Sequence, residues 1–345
     1  MKRGRSTPLG PLTRRLWRLA YFAGATAGLS TLTGFAAGLG WFPELFCHFR
    51  MQYFVALAGV ALLGAFLRRF RPAALFALLA GANLATIASL HVGGVSPGPV
   101  GDANSAGSPL VRAVLFNVHS ANRSYAEVES FIRRSDAHVV VLVEVTDDWL
   151  RRLDLRRFYP HAVEDPHDAN FGIALYSKFP FREARVLRLG EANVSSLGVE
   201  VDRPEGSFHV VATHPFPPTT PARAHLRNDQ LEAIAAHVRG LSGPVVLLGD
   251  LNTTPWSPHF RRLLETSGLR DSSRGHGVLP TWPSLLPWIL RIPLDHCLHS
   301  PGISVRRREV GPDLGSDHLP LLVEFRVDRL PGNLPLLGKS SSERR

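Results

Sequence analysis

In this 345-residue chain, acids, amides and imidazoles stand at the ends of short apolar runs. The strongest case is Val245-Val246-Leu247-Leu248-Gly249-Asp250-Leu251-Asn252. Four aliphatic residues read as a buried strand and the glycine as its end. Asp250 and Asn252, two positions apart, then share a side of an extended strand end. Three further stretches match it: Asn117 closes the run Val111–Val118, Glu144 follows Val139–Val143, and His214 follows Ala212-Thr213. Toward the C-terminus come two Asp-His pairs, Asp295-His296 and Asp317-His318.

Those residue types together suit hydrolysis of a phosphate ester with a hard metal. Carboxylate and amide oxygens favour Mg²⁺, with Mn²⁺ the alternative; zinc would ask for more His or Cys at close spacing. Glu144 is the best candidate ligand, with Asn117 and Asp317 near it. Asp250 is expected to orient and deprotonate the attacking water. His318 would bind a phosphoryl oxygen and stabilise charge as it develops, with Asp295 fixing its tautomer. His214 and Asn252 would complete the phosphate cradle.

These residues must be held by a scaffold, and the patterning from residue 110 onward supplies one. Strands are expected at Val111–Val118, Val139–Val143, Gly172–Ser177, Ser207–Thr213, Val245–Leu248, Leu294–His299 and Leu319–Val327. Helices are expected at Ser124–Arg134, Ala222–Arg239 and Pro258–Thr266. Several connections are long and proline-rich, and strands follow one another without helices. That favours two packed sheets with helices outside over a doubly wound nucleotide-binding fold.

Ahead of this region the composition changes. Residues 1–92 hold ten Lys/Arg against one acid, Glu44, whereas residues 110–328 hold twenty-five against twenty-six, so the pI of about 10.5 belongs to the N-terminal region. A nucleic-acid partner is therefore not favoured for the main domain. After a basic segment, 1–18, three uncharged runs at about 19–42, 51–67 and 72–92 read as three transmembrane helices. With basic residues before the first run and Arg68, Arg69 and Arg71 between the second and third, the N-terminus is expected in the cytoplasm. The Pro43–Arg50 loop and everything after Val92 would then lie outside. Residues 93–109 read as a flexible linker, 110–328 as the catalytic domain, and 329–345 as a disordered tail. Two cysteines far apart, Cys47 and Cys297, argue against a disulfide framework.

As an ordered set, the motifs resemble the endonuclease/exonuclease/phosphatase superfamily of DNase I. They are Phe116-Asn117-Val118, Val143-Glu144, Gly172-x-Ala174-x-x-Ser177-Lys178-x-Pro180, Thr213-His214, Arg227-x-x-Gln230-Leu231, Gly249-Asp250-x-Asn252, Thr281-Trp282-Pro283, Asp295-His296 and Ser316-Asp317-His318-x-Pro320. The resemblance implies an α/β (α+β) four-layered sandwich and Mg²⁺-dependent cleavage of phosphate esters. One departure is Val143, where many members carry Gln. The three apolar runs and Arg291-Ile292-Pro293-Leu294-Asp295-His296 resemble membrane-bound bacterial members, including the VanJ-type proteins associated with teicoplanin resistance. That similarity implies a phosphorylated lipid at the outer membrane face, of the undecaprenyl pyrophosphate type.

A tethered nuclease and a non-catalytic envelope scaffold are the rival functions. The near-neutral domain argues against the first and the retained set of polar residues against the second. His119, His161, His167, His259 and His276 match no motif and are expected at the surface or in loops. His296 and Cys297 continue the Asp295 strand, with at least one of them buried and neither assigned chemistry. Arg306-Arg307-Arg308 reads as a solvated face. The run Trp282–Arg291, rich in Trp, Leu and Pro, reads either as a loop folded back on the core or as an apolar lip at the bilayer.

Overall fold

Val139–Val143, five Val and Leu residues, are buried on both faces, which a strand tolerates only between two covering layers. The computed structural model describes residues 10–93 and 109–328 and supplies both layers. Its catalytic part comprises β1 (Val111–Asn117), α5 (Tyr125–Ser135), β2 (Val139–Val143), α6 (Asp147–Arg152), β3 (His161–Asp165), β4 (Ile173–Ser177), β5 (Phe181–Arg188), β6 (Ser195–Val201) and β7 (Phe208–Thr213). There follow α7 (Pro221–Arg239), β8 (Val245–Asp250), α8 (Pro258–Ser267), β9 (Arg270–Asp271), β10 (Asp295–His299), β11 (Ile303–Val310) and β12 (Leu321–Val327). Four helices, numbered first, precede them: α1 (Pro11–Phe35), α2 (Trp41–Leu45), α3 (Arg50–Phe66) and α4 (Phe70–Ala88).

The strands form two six-stranded sheets, ordered β11-β12-β1-β2-β4-β3 and β5-β6-β7-β8-β10-β9. In each, one parallel pair (β1/β2, β7/β8) sits among antiparallel neighbours. Alternation along β1 sends Ala113 and Leu115 into the core between the sheets, and Val114 and Phe116 outward under α5 and α6. The second sheet does the same, with Val246 and Leu248 inward and Val245 and Leu247 under α7 and α8. The layers run helix, sheet, sheet, helix, as expected. The chain reverses so that the C-terminal ends of β1, β2, β7 and β8 lie at one end of the sandwich.

Three features depart from the sequence reading. Strands β3, β5, β6, β9 and β11 and helix α6 were not expected. Gly249 does not end its strand, which runs on to Asp250; it is needed because a Cβ there would stand 2.3 Å from the Thr213 carbonyl oxygen. The basic run at 306–308 is not one solvated face. The β11/β12 register shifts between Val305 and Arg307, and beyond this bulge Arg308 turns inward, donating to Ser272 Oγ (2.9 Å) and the Asp295 carbonyl (3.1 Å). His296 and Cys297 are both buried, the former bonded to the Thr253 carbonyl.

The N-terminal helices are also revised. The expected first span over 19–42 is a helix that starts at Pro11 and stops at Phe35. Among the described residues, two stretches are long and apolar enough to cross a membrane, Trp41–Phe66 and Phe70–Ala88, rather than three. In α1, Gly24, Thr26, Gly28, Ser30, Thr31 and Thr33 dilute the hydropathy. Gly24 instead serves packing, since a Cβ there would stand 3.0 Å from Phe76 and Val60 of the neighbouring helices. Of the expected linker, 93–109, all but the two end residues lie outside the described residues, as does the whole expected tail, 329–345.

The segment between α1 and α3, read as an outward-facing loop, is a helical wedge against the catalytic domain. Its single acid, Glu44, is 1% exposed and accepts two hydrogen bonds from Arg227 Nη2, at 2.7 and 2.6 Å, and one from Ser257 Oγ. Trp41 Nε1 donates to the Pro218 carbonyl, and Gln52 of α3 donates to the carbonyls of Ile289 and Arg291. Beyond α4, the Leu90 carbonyl accepts from the Gly275 and Gly277 amides. An ion pair this deep is tolerated because both charges are hydrogen-bonded. Removing one partner should be costly: Arg227→Met is expected to destabilise the full chain by about 3–5 kcal/mol, and the double replacement with Glu44→Leu to recover most of that. Thermal unfolding in detergent reads both; an unshifted midpoint for Arg227→Met would contradict the docked arrangement.

Candidate active site

β8 delivers Asp250 as its last residue, opposite Asp295, the first residue of β10, in the antiparallel register. Asp250 is 1% exposed, so its charge must be met by its neighbours. Asn117, from the end of β1, donates through Nδ2 to Asp250 Oδ2 (3.1 Å) and to Glu144 Oε1 (2.9 Å). The Asn252 amide N–H donates to Asp250 Oδ1 (3.0 Å). Two imidazoles approach the same carboxylate, His214 Nε2 and His318 Nε2, each 3.5 Å from Oδ2. Asp295 Oδ2 lies 2.8 Å from His318 Nδ1, on the far side of that ring.

The expected neighbours Asp250 and Asn252 are thus brought together, by a different route. Asn252 is not extended; at φ 48° it turns in the left-handed region and its amide closes back on the Asp250 side chain. Its Nδ2 then donates to the Pro215 carbonyl (2.9 Å) and lies 3.3 Å from His214 Nε2, fixing the loop that carries the imidazole. Glu144 also has a left-handed backbone, at φ 62°. It is one of the few non-glycine residues so held, and such conformations persist where surrounding contacts impose them.

The charges follow from burial opposed by neighbours. Desolvation would raise the Asp250 pKa, but His318 and His214 and the Asn252 N–H outweigh it and hold it below the ordinary carboxylate value. Burial would likewise lower His318; the carboxylates of Asp295 and Asp250 lift it instead to about 10. His214 is raised in the same way, burial being outweighed by its hydrogen bond to Asp250. The site therefore presents an ionised carboxylate beside the His318 imidazolium and a His214 ring whose proton affinity is raised, which suits holding phosphoryl oxygens and orienting a water.

A cation is compatible with these residues. The Glu144 Oε2 and Asp317 Oδ1 atoms are buried and have no hydrogen-bond partner, and both residues border the same cavity. Two free carboxylate oxygens suit Mg²⁺ or Mn²⁺. Asn117, as placed, uses its NH₂ on the two carboxylates and its oxygen on the His119 N–H (3.0 Å), so it links Glu144 to Asp250. Asp250, Asp295 and His318 also lie close enough together to hold an ion. There, however, the ring's two nitrogens already face the two carboxylates, and a metal would have to displace those contacts.

Several residues of the site had been given no role in it from the sequence. Trp282 donates from Nε1 to Asp317 Oδ2 (3.1 Å) and stands beside the His318 ring. His119, expected at the surface, brings Nδ1 to 3.8 Å from Asp317 Oδ1. Arg227 donates to the Asn252 carbonyl (3.0 Å) while it binds Glu44. Leu45, His48 and Phe49 of the N-terminal wedge wall the same cavity, of about 630 Å³. No periodicity or motif marks those three. Val143, the one departure from the motif pattern noted above, packs in the core between the sheets.

The model of the endonuclease/exonuclease/phosphatase family matches residues 114–318, which contain every one of these catalytic-domain positions. The chain belongs to that family. Its members are hydrolytic phosphoesterases and nucleases, typically dependent on a divalent metal. An endonuclease/exonuclease/phosphatase from Bacteroides vulgatus superposes with TM-score 0.54 at 18% identity, over 64% of this chain and 100% of that one. The human Nocturnin catalytic domain with bound sulfate gives 0.53 at 19%, over 63% and 94%. One from Beutenbergia cavernae DSM 12333 gives 0.51 at 23%, over 64% and 72%. These likenesses speak for the fold alone. A UPF0294 protein of Vibrio cholerae is 33% identical over 102 residues, 28% of this chain; the match spans about a third (33%) of that relative.

The pKa displacements have a measurable sign. Unfolded, His318 releases its proton near 6.5; folded, near 10. Its protonation therefore stabilises the fold fully below about pH 6.5, and that contribution fades as the pH rises toward 10. In metal-free protein, an NMR titration is expected to show the His318 ring titrating near 10, and Asp295→Asn to move that midpoint down. A midpoint that ignores Asp295 would contradict the assigned pairing.

Proposed function

We propose that this chain is a membrane-anchored, metal-dependent phosphoesterase that hydrolyses a lipid-linked phosphate or pyrophosphate, of the undecaprenyl pyrophosphate type, outside the cytoplasm. The observation that carries this reading is the shared cavity. Its floor is Asp250, Asn252, His214 and His318, while one wall is Leu45, His48 and Phe49 from the start of an apolar stretch long enough to span a bilayer. A phosphate borne on a lipid would meet the polar floor while its chain remained beside apolar side chains.

The placement of charge supports the orientation. Arg68 and Arg69 join α3 to α4 at the end of the bundle away from the wedge, and the basic start of α1 lies toward that end too. α3, about 25 Å long at 1.5 Å per residue, separates them from the catalytic domain. By the positive-inside rule the arginines are cytoplasmic and the cavity is on the other side. The run Trp282–Arg291 supports the bilayer reading as well. Trp282 belongs to the site, whereas Leu285 and Trp288 are 85% and 60% exposed beside α3, to which Gln52 ties the run. A role in cell envelope metabolism or glycopeptide resistance follows from this substrate class and the VanJ-type resemblance.

In the proposed reaction Asp250 orients the attacking water and accepts its proton, and Asn252 keeps the His214 loop in place. His214 and His318 donate to the phosphoryl oxygens, with Asp295 holding the His318 ring. Glu144 and Asp317, with Asn117 behind them, would hold Mg²⁺ or Mn²⁺. Bound there, the ion supplies further positive charge to the phosphoryl group. A carboxylate held as low as Asp250 is a weak base in the resting site, so its first contribution is orientation.

Purified full-length protein with Mg²⁺, offered a polyprenyl pyrophosphate, a phospholipid and DNA side by side, tests the substrate class. Turnover of DNA alone would favour the tethered nuclease, and no turnover of any would favour the scaffold. Asp250→Asn is expected to reduce turnover at least about 100-fold with folding intact. Glu144→Gln is expected to raise the Mg²⁺ concentration needed for half activity; an unchanged curve would place the metal elsewhere. Replacing Leu286 and Trp288 together with Ser should lower turnover of a lipid pyrophosphate in vesicles and leave a soluble phosphate ester unaffected. Equal loss on both substrates with a lowered melting temperature would assign the run to the core.

A further inference from the structure

The wedge between α1 and α3 carries one polar side chain whose chemistry the catalytic domain does not account for. His48 is 6% exposed and borders the active-site cavity. Its Nδ1 lies 3.0 Å from Thr254 Oγ1, two residues beyond Asn252. Its Nε2 is buried and has no hydrogen-bond partner. Both groups that face Nδ1, the Thr254 hydroxyl and the Cys47 thiol (Sγ at 3.8 Å), carry a hydrogen they can donate, so we take Nδ1 as the acceptor. The ring proton then belongs on Nε2. Burial of an unmet donor is unfavourable unless a ligand meets it.

We infer that His48 is a substrate-binding residue that the anchor lends to the catalytic domain, its Nε2–H donating to an oxygen of the substrate's phosphate or diphosphate group. The cavity supplies the context: the groups it shares with His48 include His214, Asp250, Asn252 and His318, the cradle proposed above for a phosphoryl group. Leu45 and Phe49 flank His48 in sequence and also line the cavity, so one short segment offers a donor for the head of an amphiphile and apolar surface for the atoms behind it. Thr254 sets the ring, and the Glu44–Arg227 pair sets the segment. On this arrangement the catalytic domain alone lacks one contact of its own site. The inference rests on the phosphoesterase reading but not on the identity of the lipid.

The test uses full-length protein in detergent with Mg²⁺ and methylenediphosphonate, a diphosphate analogue with a non-hydrolysable bridge, followed by calorimetry. Asn in place of His keeps a group near Nδ1 for Thr254 and drops the Nε2 donor, whereas Gln carries its amide out toward the Nε2 position. His48→Asn is therefore expected to weaken diphosphonate binding about tenfold or more, and to raise KM for the hydrolysed substrate more than it lowers kcat. His48→Gln should recover much of the affinity. In ¹⁵N-histidine-labelled protein the His48 Nε2 resonance should shift on addition of diphosphonate. A packing histidine would give the reverse order, with His48→Asn binding like wild type and no resonance shift, and that result overturns the inference while the phosphoesterase reading stands. Wild-type protein that binds no diphosphonate would overturn both.

Discussion

An ionised carboxylate withdrawn from water is costly unless donors surround it, and Asp250 is such a group. Its partners come from separate parts of the chain: Asn117 at the end of β1, His214 after β7, Asn252 in the turn after β8, and His318 before β12. Both sheets must therefore be assembled, in register and at the right separation, before that charge is met. In the proposed function the residues that surround Asp250 also hold the phosphoryl group, which couples the stability of this end of the sandwich to its chemistry. Changing any one partner alters the electrostatics of the rest.

A second buried charge pair performs the corresponding task for the N-terminal helices. Glu44 and Arg227 join the wedge to α7, and Arg227 also donates to the Asn252 carbonyl. One guanidinium thus touches both the N-terminal wedge and the turn that positions His214. Its planar fork can serve two acceptors in different directions, which a lysine could not do with the same geometry. This arrangement makes the N-terminal helices more than a tether, because the cavity's apolar wall depends on their position.

The contrast between the two tryptophans of the 282–291 run shows how local sequence underdetermines role. Trp282 and Trp288 lie in one proline-rich stretch without clean periodicity. Trp282 is drawn inward by its bond to Asp317, whereas Trp288 has no such partner and remains exposed near α3. The arginine run at 306–308 makes the same point. A single bulge reverses the facing of the residues beyond it and converts Arg308 from a solvent residue into a buried donor to the Asp295 backbone.

What the sequence determined by itself was whatever depends on local periodicity and on residue type. The apolar strands β1, β2, β4, β7, β8, β10 and β12, the helices α5, α7 and α8, and the polar residues at the ends of those strands were legible for that reason. So were Asn117, Glu144, His214, Asp250 and Asn252, which close patterned runs, and Asp295, Asp317 and His318, which stand in two Asp-His pairs ahead of such runs. Tertiary structure alone decided the remainder. The exposed strand β5 shows no alternation, and the left-handed turn at Asn252 answers to the Asp250 charge rather than to its own neighbours in sequence. Whether α1 packs through glycine or spans on its apolar surface depends on what stands opposite it. Glu44, Leu45, His48 and Phe49 gained their roles only when the wedge met a domain more than a hundred residues away in sequence. Long-range contacts of that kind leave no periodic trace along the chain, because only the folded packing brings the partners together.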